Sequence, residues 1–298
     1  MSGLSGNNIV DASDYFPDNG LAAILPFISN GNARLIMVLS AYFDESERPE
    51  SDAPICVGGF LFKVDGYLKF RRKWKRDVLR DGAVGAFHMT DLCAGQGTYV
   101  GMTIADRVAI LDGAVDAIRK HSYAGLGVQI PRDEFARVAP PNWPQFRGSV
   151  YTACCHMCVQ SAAYWLRQWN YAGTVLYVFE QGHKYQKEAN AALTAIGQNP
   201  KARQDFRYAN HVFETKAEYG VQAADLFAWT MTKAHVADGR VSPALRPFVP
   251  ALLRLGQGKE RMKVNVFTGD KLKRFIHEQM VGAEGIPVNF GPRKANFK

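Results

Sequence analysis

Apolar runs alternate along this chain with stretches of helical spacing. Residues 34–43 (RLIMVLSAYF) are almost unbroken apolar sequence that stops at Asp44-Glu45-Ser46, the pattern of a strand buried on both faces. A polar turn over 45–54 leads to a second β-rich run, 55–62, containing Gly58-Gly59, and the two runs predict a hairpin with a long loop. Residues 65–80 are amphipathic and strongly basic, with Leu68, Trp74, Val78 and Leu79 on their apolar side. Thr103 is placed to cap a helix over 104–120, where Val108, Leu111, Val115 and Ile118 recur at helical spacing. A strand is expected over 123–130, stopped by Pro131, and Pro140, Pro141 and Pro144 precede a long helix over 148–169. Residues 174–179 (TVLYVF) read as a fully buried strand ending at Glu180. A helix over 184–196 is broken by Asn199-Pro200, 207–213 is extended, and 219–236 is a strongly apolar helix. Beyond Gly239 come a proline-containing stretch, a short helix near 271–280 and a basic tail, PRKANFK.

The order is two or three antiparallel-type strands, then helix, strand, helix, strand, helix. That alternation predicts an α/β fold whose later strands run parallel through crossover helices. A central domain is expected over 34–238, preceded by a Gly-, Asn- and Ser-rich arm over 1–33 and followed by a C-terminal appendage over 239–298. At 298 residues, with 47% hydrophobic and 21% charged residues, the chain can bury a sizeable core. Its net charge of +8 draws polyanions, so nucleic acid is the expected partner. No apolar run approaches the roughly 20 residues of a membrane span. The five cysteines, Cys56, Cys93, Cys154, Cys155 and Cys158, are odd in number and clustered, unlike a secreted disulfide framework. The apolar patch over 21–28 lacks a basic n-region and does not read as a signal peptide. A cytoplasmic location is expected.

The candidate chemistry lies where carboxylates interrupt apolar sequence. Asp44 and Glu45 end the first buried strand and Glu180 ends TVLYVF, so parallel neighbours would set them side by side at the carboxyl edge of the sheet, where such sheets bind ligands. Adjacent carboxylates disfavour each other's charge, and a hard divalent cation with oxygen ligands relieves this. Asp225 interrupts the apolar helix VQAADLFAW and shares a stripe with Gln222 and Trp229. Buried there, it needs a metal, a helix dipole or a cation, and Lys216 upstream is one candidate. Each carboxylate taken singly has a plainer reading as a turn residue or helix cap. His88, in FHMTD, and His183, close after Glu180, are candidate proton carriers, or else structural histidines. Cys154, Cys155, His156 and Cys158 suggest zinc, but no second ligand pair at finger spacing completes the set, and packing is the expected role. Arg71, Arg72, Lys73, Lys75 and Arg76 surround Trp74 and could grip a phosphate backbone, with Lys216 as a further contact; the alternative is a solvated helix face.

Tyr-Phe-Asp-Glu-Ser followed by a Gly-Gly strand, then Phe-Glu-Thr-Lys before Val-Gln-Ala-Ala-Asp-Leu-Phe-Ala, resembles the domain-of-unknown-function 3800 family over about residues 35–237. That family is assigned to the ribonuclease H-like superfamily. The resemblance implies a mixed sheet with antiparallel first strands, parallel later strands and flanking helices. It also implies two divalent metals, Mg²⁺ or Mn²⁺, held by acidic side chains. Asp44 resembles the first-strand aspartate that bridges them, Glu180 the acidic residue ending the fourth strand, and Asp225 that of the final helix. The family's first motif usually continues Asp-Glu-Ser-Gly, whereas Glu47 follows Ser46 here. The implied activity is metal-dependent hydrolysis of phosphodiesters in RNA or DNA. A non-catalytic nucleic-acid- or partner-binding protein of the same fold, and a hydrolase of a small phosphorylated molecule, are the alternatives.

Overall fold

Six strands join into one mixed sheet in the computed structural model, which describes residues 38–46, 54–140, 149–236, 242–257 and 260–283. The strands are β1 (Val38–Ser46), β2 (Ile55–Lys63), β3 (Ala124–Ile130), β4 (Thr174–Glu180), β5 (Tyr208–Glu214) and β6 (Met262–Val266). Their order is β5-β4-β1-β2-β3-β6. β1 pairs antiparallel with β2, and β2 with β3; the β1–β4, β4–β5 and β3–β6 pairs are parallel. β1 therefore has a partner on each side, and this central place explains its unbroken apolar sequence.

Alternation along β1 assigns its two faces. Leu39, Ala41 and Phe43 enter the larger core with Val175, Tyr177 and Phe179 of β4 and the buried side of α5 (Val150–Gln168). Tyr42 and Asp44 point to the other face, which α8 (Tyr219–Val236) covers. Close approach there depends on glycine. A Cβ on Gly220 would lie 2.3 Å from Cγ of Tyr42, and one on Gly59 would lie 1.8 Å from the Tyr42 carbonyl oxygen.

On that face an aromatic chain runs from Phe62 through Phe70 and Trp74 to Phe87, with ring centroids 4.7, 5.0 and 5.4 Å apart in turn. It carries the basic segment. α1 (Val64–Lys73) continues into one wider turn over Trp74–Val78, and left-handed φ values of 49° and 51° at Arg80 and Asp81 end it. Next come the short α2 (Met89–Ala94) and then α3 (Ile104–His121), whose Thr103 and Asp106 form a reciprocal capping box. α4 (Arg132–Val138) follows β3, and α6 (Gln186–Gln198) follows β4. Asn199 ends α6 and accepts the Ala202 N–H at 3.0 Å to start α7 (Pro200–Asp205).

Of the region read as an appendage, 239–298, the described residues 242–257 and 260–283 join the sheet and core. They supply α9 (Val249–Gly256), the edge strand β6 and α10 (Gly269–Ala283), whose Leu272, Phe275 and Ile276 are buried in the larger core. β6 is hard to see in sequence because MKVNV is five residues long and, at the sheet edge, only partly buried. The expected arm over 1–33 and the basic tail lie outside the described residues. No helix among the described residues is long and apolar enough to cross a membrane.

Candidate metal centre

The parallel register brings the carboxylates together. Phe43 pairs with Phe179, so the next residues along the two strands, Asp44 and Glu180, fall side by side on the same face, Glu180 at the end of β4 and Asp44 two residues before the end of β1. One strand further out, Glu180 is level with Glu214 of β5. Ligand oxygens of Asp44, Glu45 and Glu180 all lie within 4.8 Å of one another; among the described residues this is the His/Cys/Asp/Glu group that could hold a metal ion.

Asp44 is 1% exposed. Its Oδ1 accepts the Glu45 N–H at 2.7 Å, while its buried Oδ2 has no hydrogen-bond donor and lies 3.5 Å from Nζ of Lys216. Burial, and then the neighbouring Glu180 carboxyl, push the Asp44 carboxyl well above the usual carboxylate range, against the pull of Lys216. Carboxyls placed this way need a shared proton or a cation. An all-oxygen donor set suits a hard divalent ion, so these residues fit Mg²⁺ or Mn²⁺.

Asp225 is held differently from its expected role as a third metal ligand. Its Oδ1 accepts from Lys216 Nζ at 2.7 Å, and its Oδ2 accepts the backbone N–H of Met89, at the start of α2, at 2.6 Å. Lys216 also stands 3.5 Å from Glu180 Oε1. Burial works to lower the lysine's pKa, but Asp44, Asp225 and Glu180 outweigh it, and the ammonium stays charged far above neutral pH. Lys216, expected from sequence either as a partner of Asp225 or as a phosphate contact, is thus the internal counter-charge of the acidic cluster.

Gln222 locks this arrangement. Its Nε2 donates to the Lys216 carbonyl at 2.6 Å, and its Oε1 accepts from Trp74 Nε1 at 2.8 Å and from the Phe87 N–H at 3.1 Å. Gln222 and Asp225, three residues apart on α8, hold the same lysine at its backbone and at its ammonium. The expected stripe is present, but its polar members serve Lys216.

His88 sits at the exposed rim, with Nε2 3.5 Å from Asp225 Oδ1 and Nδ1 3.5 Å from Asp91 Oδ2. His183 is stacked on the buried Tyr151 with ring centroids 3.7 Å apart, and its Nδ1 accepts the Tyr185 N–H at 3.1 Å. The Tyr151 phenol is pushed up by burial first, with Cys155, Glu45 and Asp44 adding to the shift.

In the basic segment Arg72, Lys75 and Arg76 are exposed, whereas Trp74 is fully buried and joins the core rather than any outer surface. Lys73 and Arg76 both pair with Asp77, which their hydrogen bonds, chiefly that of Arg76, hold down at about 2. Arg71 lies over the Tyr219 ring, 5.5 Å from its centroid. Cys154, Cys155 and Cys158 are buried, free thiols packed in the larger core.

Sequence reasoning did not single out Glu214 and Asp91, and gave Gln222 no partner. Glu214 ends an extended run as Glu180 does, and Asp91 follows His88 by three residues, so both carried a signal. The Met89 N–H that binds Asp225 carried none.

No family model, curated protein or solved structure matches this chain.

Proposed function

We propose that this protein is a divalent-metal-dependent nuclease that hydrolyses phosphodiester bonds in RNA or DNA, on a ribonuclease H-like sheet of the domain-of-unknown-function 3800 family. One observation carries the reading: Asp44, Glu45 and Glu180 converge within 4.8 Å at the carboxyl edge of two adjacent parallel strands, with a buried Asp44 oxygen lacking a hydrogen-bond donor. The antiparallel β1-β2-β3 arrangement beside parallel β4 and β5 supports the fold assignment.

Asp44, Glu45 and Glu180 would hold Mg²⁺ or Mn²⁺. Such an ion would supply Lewis acidity and lower the pKa of a bound water, easing its deprotonation. The chain's own part is to hold charge in place and to handle protons. Lys216 and the Met89 N–H fix Asp225, and Asp225 and Asp91 flank His88 at a solvent-facing position suited to taking up and returning a proton. The exposed Arg72, Lys75 and Arg76 lie on the segment whose Trp74 is tied through Gln222 to Lys216, so a phosphate backbone gripped there runs close to the carboxylates.

The test is cleavage of labelled single- and double-stranded RNA and DNA with Mg²⁺ or Mn²⁺. Asp44→Asn should lower the rate by about a hundredfold or more and Asp225→Asn, which acts through Lys216 and Met89, by about tenfold to a hundredfold, while circular dichroism shows the fold retained. If both variants cut like the wild type, the assigned site is wrong.

A further inference from the structure

We infer that Lys216 stands in place of one of two cations, so that the site takes a single divalent ion on Asp44, Glu45 and Glu180 and keeps the Lys216–Asp225 pair as a permanent part of its charge balance. This rests on the metal reading above and departs from the two-ion arrangement that the resemblance implies.

The partition of oxygens carries the inference. Both Asp225 oxygens are engaged, Oδ1 by Lys216 at 2.7 Å and Oδ2 by the Met89 N–H at 2.6 Å. Asp225 also stands outside the set of ligand atoms that lie within 4.8 Å of one another. Asp44 is held more loosely: its buried Oδ2 accepts no hydrogen bond and lies 3.5 Å from the Lys216 ammonium. Asp225 is therefore satisfied at hydrogen-bond distance by Lys216 and Met89, whereas Asp44 and Glu180 share the same ammonium at longer range.

Lys216 is held as a fixed part rather than as a surface side chain that happens to fall nearby. Gln222, 1% exposed, spends its amide hydrogen bonds on the Lys216 carbonyl, the Trp74 indole and the Phe87 N–H. Backbone and ammonium are anchored separately, so the charge cannot swing away when an ion arrives. Fully ionised, Asp44, Glu45, Glu180 and Asp225 carry four negative charges; Lys216 leaves three, and one divalent ion leaves one. A second divalent ion would have to sit against the ammonium and would lose Asp225 as a ligand.

The experiment counts ions. Mn²⁺ is titrated into the full chain and followed by calorimetry and by the electron paramagnetic resonance of the free ion. The wild type should bind one Mn²⁺ and Lys216→Arg one. Lys216→Met, which frees Asp225, should bind two, and the double variant Lys216→Met/Asp225→Asn should return to one. Asp44→Asn should weaken the wild-type ion by about a hundredfold or more, as loss of a metal-site contact does. Two ions in the wild type overturn the inference and leave the metal reading standing. A single ion in a folded Lys216→Met variant overturns it as well. No Mn²⁺ in the wild type overturns the metal reading and the inference with it. Should Lys216→Met not fold, the counts for the wild type and Lys216→Arg still decide, one supporting and two overturning.

Discussion

Helices α5 and α8 both interrupt apolar sequence with residues capable of chemistry, and the fold treats them in opposite ways. On α5, Cys154, Cys155 and Cys158 are wholly buried in the larger core. Burial raises all three thiols, and the neighbouring thiols raise Cys154 and Cys158 further, so each stays protonated. The Cys158 thiol donates weakly to the Val57 carbonyl at 3.6 Å. On α8, Gln222 and Asp225 are nearly as buried, yet they bond to Trp74 in the wider turn after α1, to Phe87 before α2, to Met89 at its start and to Lys216 between β5 and α8. Ligand-type residues at helical spacing occur on both helices. What separates them is charge: a neutral thiol can be packed like a small apolar side chain, whereas a carboxylate at that depth needs partners, and its partners define a site.

Removing the charge on α8 should therefore do the most damage. Asp225→Ala leaves Lys216 buried without its closest partner. Breaking such a pair costs about 3 kcal/mol, the low end of the usual range because Asp44 and Glu180 remain. For a chain of this size that is a fall of about 6–12 °C in Tm. Asp225→Asn, which keeps an acceptor for the Met89 N–H but not the charge, should lose part of this, and a variant as stable as the wild type would show that the ion pair is not what Asp225 contributes. Gln222→Ala comes next. It strands the Trp74 indole N–H, the Phe87 N–H and the Lys216 carbonyl, at about 2 kcal/mol for buried groups left unpaired. Denaturant unfolding should show that loss, with Mn²⁺ affinity falling too, since Lys216 loses its anchor. A smaller loss, about 1–2 kcal/mol from overpacking, is expected for Gly220→Ala, whose new methyl meets the Tyr42 ring. Gly256→Ala has open space and should not show it.

The same contrast explains what could be read from sequence. The strands beside the site were legible because β1 and β4, central and covered on both faces, are apolar almost without break. The site's carboxylates were legible because charges at the ends of such strands stand out. The long helices α3, α5 and α8 announced themselves through caps and spacing, Thr103 most clearly. β6 did not, since an edge strand is only half buried and its pattern is diluted. The division of labour among the carboxylates was not legible either. Asp44, Glu180 and Asp225 look alike as interruptions of apolar sequence; Lys216 was one of several candidate partners for Asp225, and only the third dimension selects it and draws Glu180 in beside Asp44 and Glu45. Trp74 was legible as part of the apolar side of its segment, and its ring does turn inward, but its partner Gln222 was not.

The thiols of α5 offer the smallest effect, and its sign follows from their burial. A thiol titrates near 8.5 when the chain is unfolded. In the folded chain Cys158 is raised well above that by burial, then by Cys155, and Cys93, half-buried at the end of α2, is pushed up to about 12 by burial. A raised pKa means the folded state holds the proton more tightly, so the contribution to stability is complete below about pH 8.5. It is lost as the pH climbs from there toward the folded value. Between pH 7 and pH 9 each such thiol should cost the fold about 0.8 kcal/mol, from the protons that the unfolded chain alone releases. Cys158→Ala pays a packing cost of about 1 kcal/mol at pH 7, but its stability should fall less steeply with pH than the wild type's, by that 0.8 kcal/mol. Cys93→Ala should flatten the slope by the same amount. Urea unfolding at the two pH values measures both. Slopes identical to the wild type's would mean that these thiols are ionised in the native chain, and α5 would then resemble α8 in carrying charge that needs a partner.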